Sequence, residues 1–316
     1  MAKSQSPKNE VKIVSGPRKL KAPTYNRARY HKRIKHPGPK LISSWKIFKN
    51  SIGVLRQNQR LFGGITVIYA LVSVILVRGF NSVTQLSDTK AALQAGHSGT
   101  LSTGFTLIGN LFSNSSGAST PAANTYQSIL LIIMSLVFIL ALRQVYSPDR
   151  PKEIRIKQAF YGSTYPLIPF VLVLLVITLE LIPLVIGATI YSAVIGNGLA
   201  VGLLEKSAWV VMFFVLAVWS IYMLTSAIFA LYIVTLPDMT PIKALRSAKQ
   251  LVQYRRWTVM RKLLFLPLII MLMYGLVMLP IVLWLTPLAE WLFFIFGLAI
   301  LGVVHSYIYA LYRELL

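Results

Sequence analysis

Long apolar runs alternate with polar segments along this chain, and the runs have the length of membrane-spanning helices. Hydrophobic residues make up 55% of the sequence and charged residues 13%, about half the charged share of an average soluble domain. A helix needs roughly 20 apolar residues to cross a bilayer. The pattern therefore predicts an all-α, polytopic six-helix transmembrane bundle. Its spans are expected at about residues 61–77, 126–142, 163–190, 208–236, 263–285 and 291–312.

The basic residues indicate how this bundle is oriented. Lys and Arg are frequent before the first span and after the second and fourth spans, and they are scarce in the other connections. In total, 29 of the 32 basic residues fall on one side of the predicted membrane. Loops rich in Lys and Arg stay in the cytoplasm. We therefore expect both termini to be cytoplasmic.

The segment before the bundle has a different composition. Residues 1–39 are rich in Lys, Arg and Pro and contain too little apolar surface to offset the entropy of ordering. We predict a disordered, basic cytoplasmic tail there and a six-span membrane domain over residues 40–316. The net charge of +23 favours anionic membrane lipids as partners. For the tail, nucleic acid stays open as a partner, because phosphate attraction does not depend on sequence.

Two amphipathic helices are expected on the basic side. Apolar residues recur at helical spacing before the first span, at Leu41, Trp45, Phe48, Ile52 and Leu55. This stripe either lies in the membrane interface or packs on the bundle itself, and the sequence leaves both options open. The basic residues that we expect to bind lipid or a partner lie here and before the fifth span. They are Lys46, Lys49, Arg56, Arg60, Lys243, Arg246, Arg255 and Arg256.

The loop before the fifth span suggests an internal repeat. Thr240 is a plausible N-cap, with Pro241 at the first helical position. The stretch before the first span has the same form, and residues 44–46 can be aligned with residues 247–249. The chain would then contain three copies of a cytoplasmic amphipathic helix followed by a transmembrane hairpin. Six spans make three pairs in any case, so the repeat stays a hypothesis.

A family resemblance rests on two of these stretches. Pro-Asp-Met-Thr-Pro followed by Ala-Leu-Arg-Ser-Ala-Lys-Gln-Leu (residues 237–251), and Ser-Trp-Lys-Ile-Phe-Lys-Asn (residues 44–50), resemble a bacterial family of polytopic membrane proteins. These are similar to the membrane domain of glycerophosphodiester phosphodiesterases and to its stand-alone relatives. The resemblance covers most of residues 40–316 and implies the fold and a location in the bacterial cytoplasmic (inner) membrane. The phosphodiesterase activity of the fused members belongs to a separate soluble barrel, which this chain lacks.

We expect no catalytic, cofactor-binding or metal site. The chain has nine acidic residues, four histidines and no cysteine, and it lacks the zinc-helix, phosphate-loop and nucleophile-elbow motifs. Two ionisable residues do lie inside spans, where a functional role is the first hypothesis. These are Glu180 and His305, and a kink or break at Pro183 would place Glu180 beside a broken helix that lines a proton or solute path. If the third span ends near Leu181 instead, Glu180 is an outer-interface residue and His305 a hydrogen-bonded packing residue, which is the interpretation we favour.

Three functional classes follow from these observations. The first is a non-enzymatic scaffold or accessory factor, whose basic face binds anionic lipid, a protein partner or another copy of the chain. The second is a small-solute or proton-coupled transporter that uses Glu180 and His305. The third is a membrane-assembly factor whose tail contacts RNA or the ribosome. The charge distribution, the missing motifs and the resemblance favour the first class.

Overall fold

The structure, a computed structural model, describes residues 41–78, 121–147, 156–196, 199, 202–284 and 286–316. Nearly all of these residues are helical and none of them is in a strand, so the all-α prediction is confirmed. The predicted tail, residues 1–39, lies outside the described residues. The described part contains α1 (Ser44–Gln57), α2 (Gln59–Ser73, continued by a π-helical turn, Val74–Arg78), α3 (Pro121–Tyr146), α4 (Ile156–Thr164), α5 (Leu167–Gly196), α6 (Leu203–Ile233), α7 (Pro241–Val252), α8 (Arg256–Trp284) and α9 (Thr286–Leu315).

Six of these helices are long and apolar enough to cross a membrane, as the sequence predicts. The qualifying segments are Gln59–Val77, Thr125–Tyr146, Leu167–Ile195, Leu203–Ile233, Arg256–Val277 and Phe294–Leu315. Much of their apolar surface is exposed, especially toward the start of α6, where Leu203 is 85% exposed. Patches of this size are unstable in water, but they are the normal lipid-facing surface of a membrane helix.

The third span differs from its prediction at Pro183. Helix α5 continues without a break through this proline as far as Gly196, so the expected break is wrong. Proline is tolerated inside membrane helices because neighbouring groups can satisfy the freed carbonyl. The span therefore does not end near Leu181, and Glu180 lies close to the middle of α5.

The order of the helices repeats three times, because each short helix (α1, α4 and α7) precedes a hairpin of two long ones. Each short helix packs chiefly on the second long helix of the preceding repeat: α4 packs on α3, and α7 packs on α6. Among the described residues no repeat precedes α1, and this helix packs on α9, the last helix. The first helix of each hairpin packs chiefly on its own partner but also contacts that neighbour: α5 contacts α3, α8 contacts α6 and α2 contacts α9. The arrangement is therefore cyclic, and α1 closes it.

The short helices also bury side chains at equivalent positions. The fourth and eighth residues of each helix are buried, namely Ile47 and Ser51, Ala159 and Ser163, and Ala244 and Ala248. The eighth position is small in all three helices, which lets the backbones approach closely. This register supports the three-repeat interpretation, and it replaces the sequence alignment of residues 44–46 with residues 247–249.

Candidate functional site

Helix α1 presents two different faces. Ile47 and Ser51 are buried against the bundle, and the Ser306 hydroxyl on α9 donates a hydrogen bond of 3.2 Å to the backbone oxygen of Ser51. Trp45 and Ile52, by contrast, are 57% and 42% exposed. Within the predicted stripe, Leu41, Phe48 and Leu55 are partly buried against the core, so this part packs on the bundle, whereas Trp45 and Ile52 are exposed. An interfacial position for these two stays a prediction.

A buried lysine fixes the start of α1. The Lys262 ammonium on α8 donates a hydrogen bond to the carbonyl oxygen of Ile42, and the Tyr307 hydroxyl donates one of 2.9 Å to the carbonyl oxygen of Lys262. Glu314 is close enough to attract the Lys262 charge. Sequence analysis did not single out Lys262, because nothing local distinguishes it from the adjacent Arg261, which is exposed.

Most of the basic residues that we expected to bind lipid or a partner are exposed. Arg255 and Arg256 are half-buried. The other six lie on α1, at the start of α2 and on α7, and we call them the basic face: Lys46, Lys49, Arg56, Arg60, Lys243 and Arg246. They occupy the end of the bundle where the short helices pack, together with the exposed lysines Lys157 on α4 and Lys249 on α7.

Exposed aromatic side chains accompany these cations. They lie on or directly after the short helices, at Trp45, Tyr161, Tyr165, Tyr254 and Trp257. Tryptophan and tyrosine favour the boundary between hydrocarbon and water, because each has an apolar ring and a polar group. This end of the bundle therefore has the composition of an interfacial region, independently of its charge.

Glu180 on α5 lies beside α6. The Ser220 hydroxyl on α6 donates a hydrogen bond of 2.7 Å to the backbone oxygen of Glu180. One carboxylate oxygen of Glu180 is buried with no hydrogen-bond partner among the described residues. The charge that attracts this carboxylate belongs to Arg256 on α8, whose guanidinium lies 4.9 Å from the centre of the Tyr222 ring.

His305 has a separate set of partners. Its Nδ1 lies 3.0 Å from the Tyr232 hydroxyl, and its ring stacks at 6.4 Å on Phe138. His305 is buried, so its surroundings are those of a hydrogen-bonded packing residue. The contacts that the structure shows connect Glu180 and His305 to different residues rather than to each other.

Aromatic rings fill the centre of the bundle next to His305. The Tyr232 ring lies 6.3 Å from the Tyr312 ring, and Arg143 donates a hydrogen bond of 2.7 Å to the carbonyl oxygen of Thr235. Arg143, Tyr232 and Tyr312 each follow an Ala-Leu pair near the end of α3, α6 and α9. This recurring Ala-Leu pair is the sequence signal that sequence analysis missed.

Among the described residues, no group of three or more His, Cys, Asp or Glu is placed to hold a metal ion. Comparisons with protein families, curated proteins and solved structures found no match for this chain. The resemblance to the membrane domain of glycerophosphodiester phosphodiesterases therefore stays a prediction from the sequence. The structure itself shows an all-α protein with the six apolar helices of a multi-pass membrane protein.

Proposed function

We propose that this chain is a non-enzymatic protein of the bacterial inner membrane, a scaffold or accessory factor whose basic face binds anionic lipid headgroups on the cytoplasmic side. One observation carries the proposal: exposed cations and exposed Trp and Tyr side chains lie together on the short helices, at one end of a bundle of apolar helices. Anionic headgroups meet cations at this depth of a bilayer.

The expected strength of this attraction can be stated. Each Lys or Arg near an anionic leaflet contributes about 1 kcal/mol of binding free energy. The six cations of the basic face together therefore contribute several kcal/mol. The attraction extends over a Debye length of roughly 8–10 Å at moderate salt. Lipid binding by the basic face should therefore weaken as the salt concentration rises.

Spin-labelled lipids in proteoliposomes test the proposal. Electron paramagnetic resonance measures the fraction of labelled phosphatidylglycerol or phosphatidylcholine that the protein immobilises. We expect a larger fraction for phosphatidylglycerol, and a decrease in that preference with added salt. Replacing Lys46, Lys49, Lys243 and Arg246 by Glu should abolish the preference.

The matched control reverses a charge at the other end of the bundle. Lys206 is exposed near the start of α6, on the predicted outer side, so Lys206→Glu should leave the preference unchanged. Equal immobilisation of both lipids by the wild-type protein, or an unchanged preference in the four-residue variant, would contradict the proposal.

A proton-coupled transporter is the second candidate, and one observation favours it: the unpartnered carboxylate oxygen of Glu180 inside a span. The unbroken α5 and the separate partners of Glu180 and His305 give it less support than the first. Glu180→Gln should abolish proton-coupled flux in proteoliposomes if this candidate holds. Flux that is equal in the variant and the wild type would eliminate it.

A further inference from the structure

Helices α1, α2 and α9 enclose an open groove with a volume of about 620 Å³. Small-molecule sites in proteins typically measure about 300–1,000 Å³. The groove is polar at one end, where Arg56 and Gln59 lie. The rest of its lining is mainly apolar and includes Phe62, Gly63, Val67, Ala70, Leu298 and Gly302.

Glycines leave space in this part of the groove, and the one hydroxyl among its described lining residues makes its hydrogen bond within its own helix. A side chain added at Gly63 would meet no atom within 4 Å, so the space beside α2 is empty there. On α9, a Cβ at Gly302 would lie 3.3 Å from the Phe138 ring, so Gly302 lets that ring form the floor. Thr66 also lines the groove, but its hydroxyl donates a hydrogen bond of 2.8 Å to the carbonyl oxygen of Phe62 in its own helix.

We propose that this groove binds one anionic phospholipid, with its phosphate at Arg56 and one acyl chain along α2 and α9. The inference rests on the proposed function of the basic face and narrows it to a single bound lipid. A guanidinium pairs with phosphate through two parallel hydrogen bonds, and the Gln59 amide adds further donors.

The length of the groove fits one leaflet of a bilayer. From Gln59 to Ala70 the helix advances 11 residues, which is about 17 Å at 1.5 Å per residue. The hydrocarbon core is about 30 Å thick, so one leaflet contributes about 15 Å. The groove is therefore about as long as one leaflet is thick. A protein helix would cover the apolar walls but bring no anion to Arg56. A phospholipid supplies both an acyl chain for the walls and a phosphate for Arg56.

Two substitutions test the two parts of the site. Gly63→Leu fills the part of the groove proposed to hold the acyl chain. It should cause no steric clash within the protein, because the space beside Gly63 is open. Its matched control is Gly275→Leu on α8, where an added side chain also meets nothing and which does not line the groove. Arg56→Glu removes the phosphate partner, and Lys206→Glu is its control for net charge.

Native mass spectrometry of the full-length protein counts the retained lipid. The purified protein is incubated with phosphatidylglycerol or with phosphatidylcholine of identical chains, and excess lipid is then removed. We expect the wild-type protein and both controls to retain one phosphatidylglycerol in preference to phosphatidylcholine. Arg56→Glu and Gly63→Leu should each lower that retention roughly tenfold, and Gly63→Ala, which fills less of the groove, should lower it less.

Several outcomes would overturn the inference. These are equal retention of the two lipids, no retained lipid, or full retention in Gly63→Leu. A wild-type dimer that Gly63→Leu dissociates would assign the groove to a second copy of the chain instead. If the inference alone is wrong, the four-residue charge variant, which keeps Arg56, still abolishes the spin-label preference. If the proposed function is wrong, neither assay shows a preference for phosphatidylglycerol.

Discussion

At the scale of single residues, the hydrogen bond between Tyr232 and His305 joins α6 to α9 in the centre of the bundle. Tyr232→Phe removes it and leaves the His305 nitrogen buried without a partner. Hydrogen bonds between membrane helices contribute roughly 0.6–2 kcal/mol. We therefore expect a loss of about 1 kcal/mol, measured as a lower midpoint of detergent-driven unfolding.

The control is Tyr165→Phe, because Tyr165 is 83% exposed. The unfolding midpoint of this variant should equal that of the wild type. Adding His305→Phe to Tyr232→Phe should recover part of the loss, since two apolar partners leave no unpaired polar group. A midpoint for Tyr232→Phe equal to that of Tyr165→Phe would show that the hydrogen bond contributes nothing.

The charges of Glu180 and Arg256 support a second prediction at this scale. Glu180→Gln leaves the Arg256 guanidinium without its attracting carboxylate, and Arg256→Gln does the reverse. Arg256→Gln should unfold at a lower denaturant concentration than the wild type, because burial disfavours the Glu180 charge and the Arg256 charge opposes that effect. If the two side chains interact, the free energies of unfolding will not be additive. The double variant should be more stable, by roughly 0.5 kcal/mol or more, than the sum of the two single changes predicts. Losses that simply add would mean that the pair is not coupled.

The sequence identifies Glu180 and His305 as ionisable residues inside spans, but not their partners. Residue type and position are local properties, whereas a partner depends on which helices become neighbours. Arg256 reaches Glu180 because α8 packs beside α6, and Tyr232 reaches His305 because α6 meets α9. The same limit applies to Lys262, whose acceptor Ile42 lies 220 residues away in the chain.

At the scale of elements, the small residue at the eighth position of each short helix gives a test of the repeat. Ala248 is fully buried between α7 and its neighbours, so Ala248→Leu should overpack this contact and cost about 1–3 kcal/mol. Ser51→Leu and Ser163→Leu should have similar effects, because these residues occupy the same position of α1 and α4.

Unfolding midpoints of the three variants measure this equivalence. The control is Lys249→Leu, an exposed neighbour of Ala248, for which the change should stay within roughly 0.5 kcal/mol. A large loss in Ala248→Leu alone would mean that the three short helices are not packed alike.

The elements themselves could largely be predicted, and the errors have physical causes. Thr240 accepts a hydrogen bond from the backbone N–H of Lys243, and Pro241 begins α7, so the predicted cap is confirmed. The fifth span was predicted to begin at residue 263, whereas α8 begins at Arg256. Hydropathy marks only the apolar part of a helix, and the first two turns of this helix contain Arg256, Arg261 and Lys262. The break at Pro183 was wrong because single-helix reasoning omits the neighbours that stabilise a proline in a membrane helix.

At the scale of the whole molecule, the predicted orientation can be tested with single cysteines, since the chain contains none. Lys206 and Lys249 are both exposed and lie at opposite ends of the bundle. A maleimide that cannot cross membranes should label Lys206→Cys in intact spheroplasts. Lys249→Cys should react only after the membrane is permeabilised, because the charge distribution predicts that the basic face is cytoplasmic. The reverse pattern would place the basic face outside the cell and contradict the predicted topology.

The cyclic packing of the three repeats is the feature of the whole molecule that the sequence did not reveal. A hydropathy pattern orders helices along the chain, but it does not say that the first helix of the structure contacts the last. That contact depends on particular groups, including the Ser306 hydroxyl on α9 and the backbone oxygen of Ser51 on α1. Each of these is too ordinary in its local sequence to be recognised as a partner.

Closure of the cycle by α1 predicts the effect of shortening the chain. Deleting residues 2–40 removes the predicted tail and should leave the unfolding midpoint unchanged. Deleting residues 2–57 also removes α1, so that the buried Lys262 ammonium loses its acceptor on Ile42. A hydrogen bond to a charged group typically contributes about 1.5–3 kcal/mol, and the apolar contacts of α1 are lost as well. We expect a correspondingly lower midpoint and a lower yield of monodisperse protein.

A second substitution separates this cause from the loss of apolar contacts. Lys262→Met in the longer deletion removes the charge that has lost its backbone acceptor and keeps most of the side-chain volume. It should therefore restore part of the midpoint, whereas the same substitution in the full-length chain should lower it, because there the ammonium still has its acceptor. Equal midpoints for the two deletions would mean that α1 is not part of the folded core. If Lys262→Met had no effect in either background, apolar packing rather than the lysine would hold α1 in the bundle.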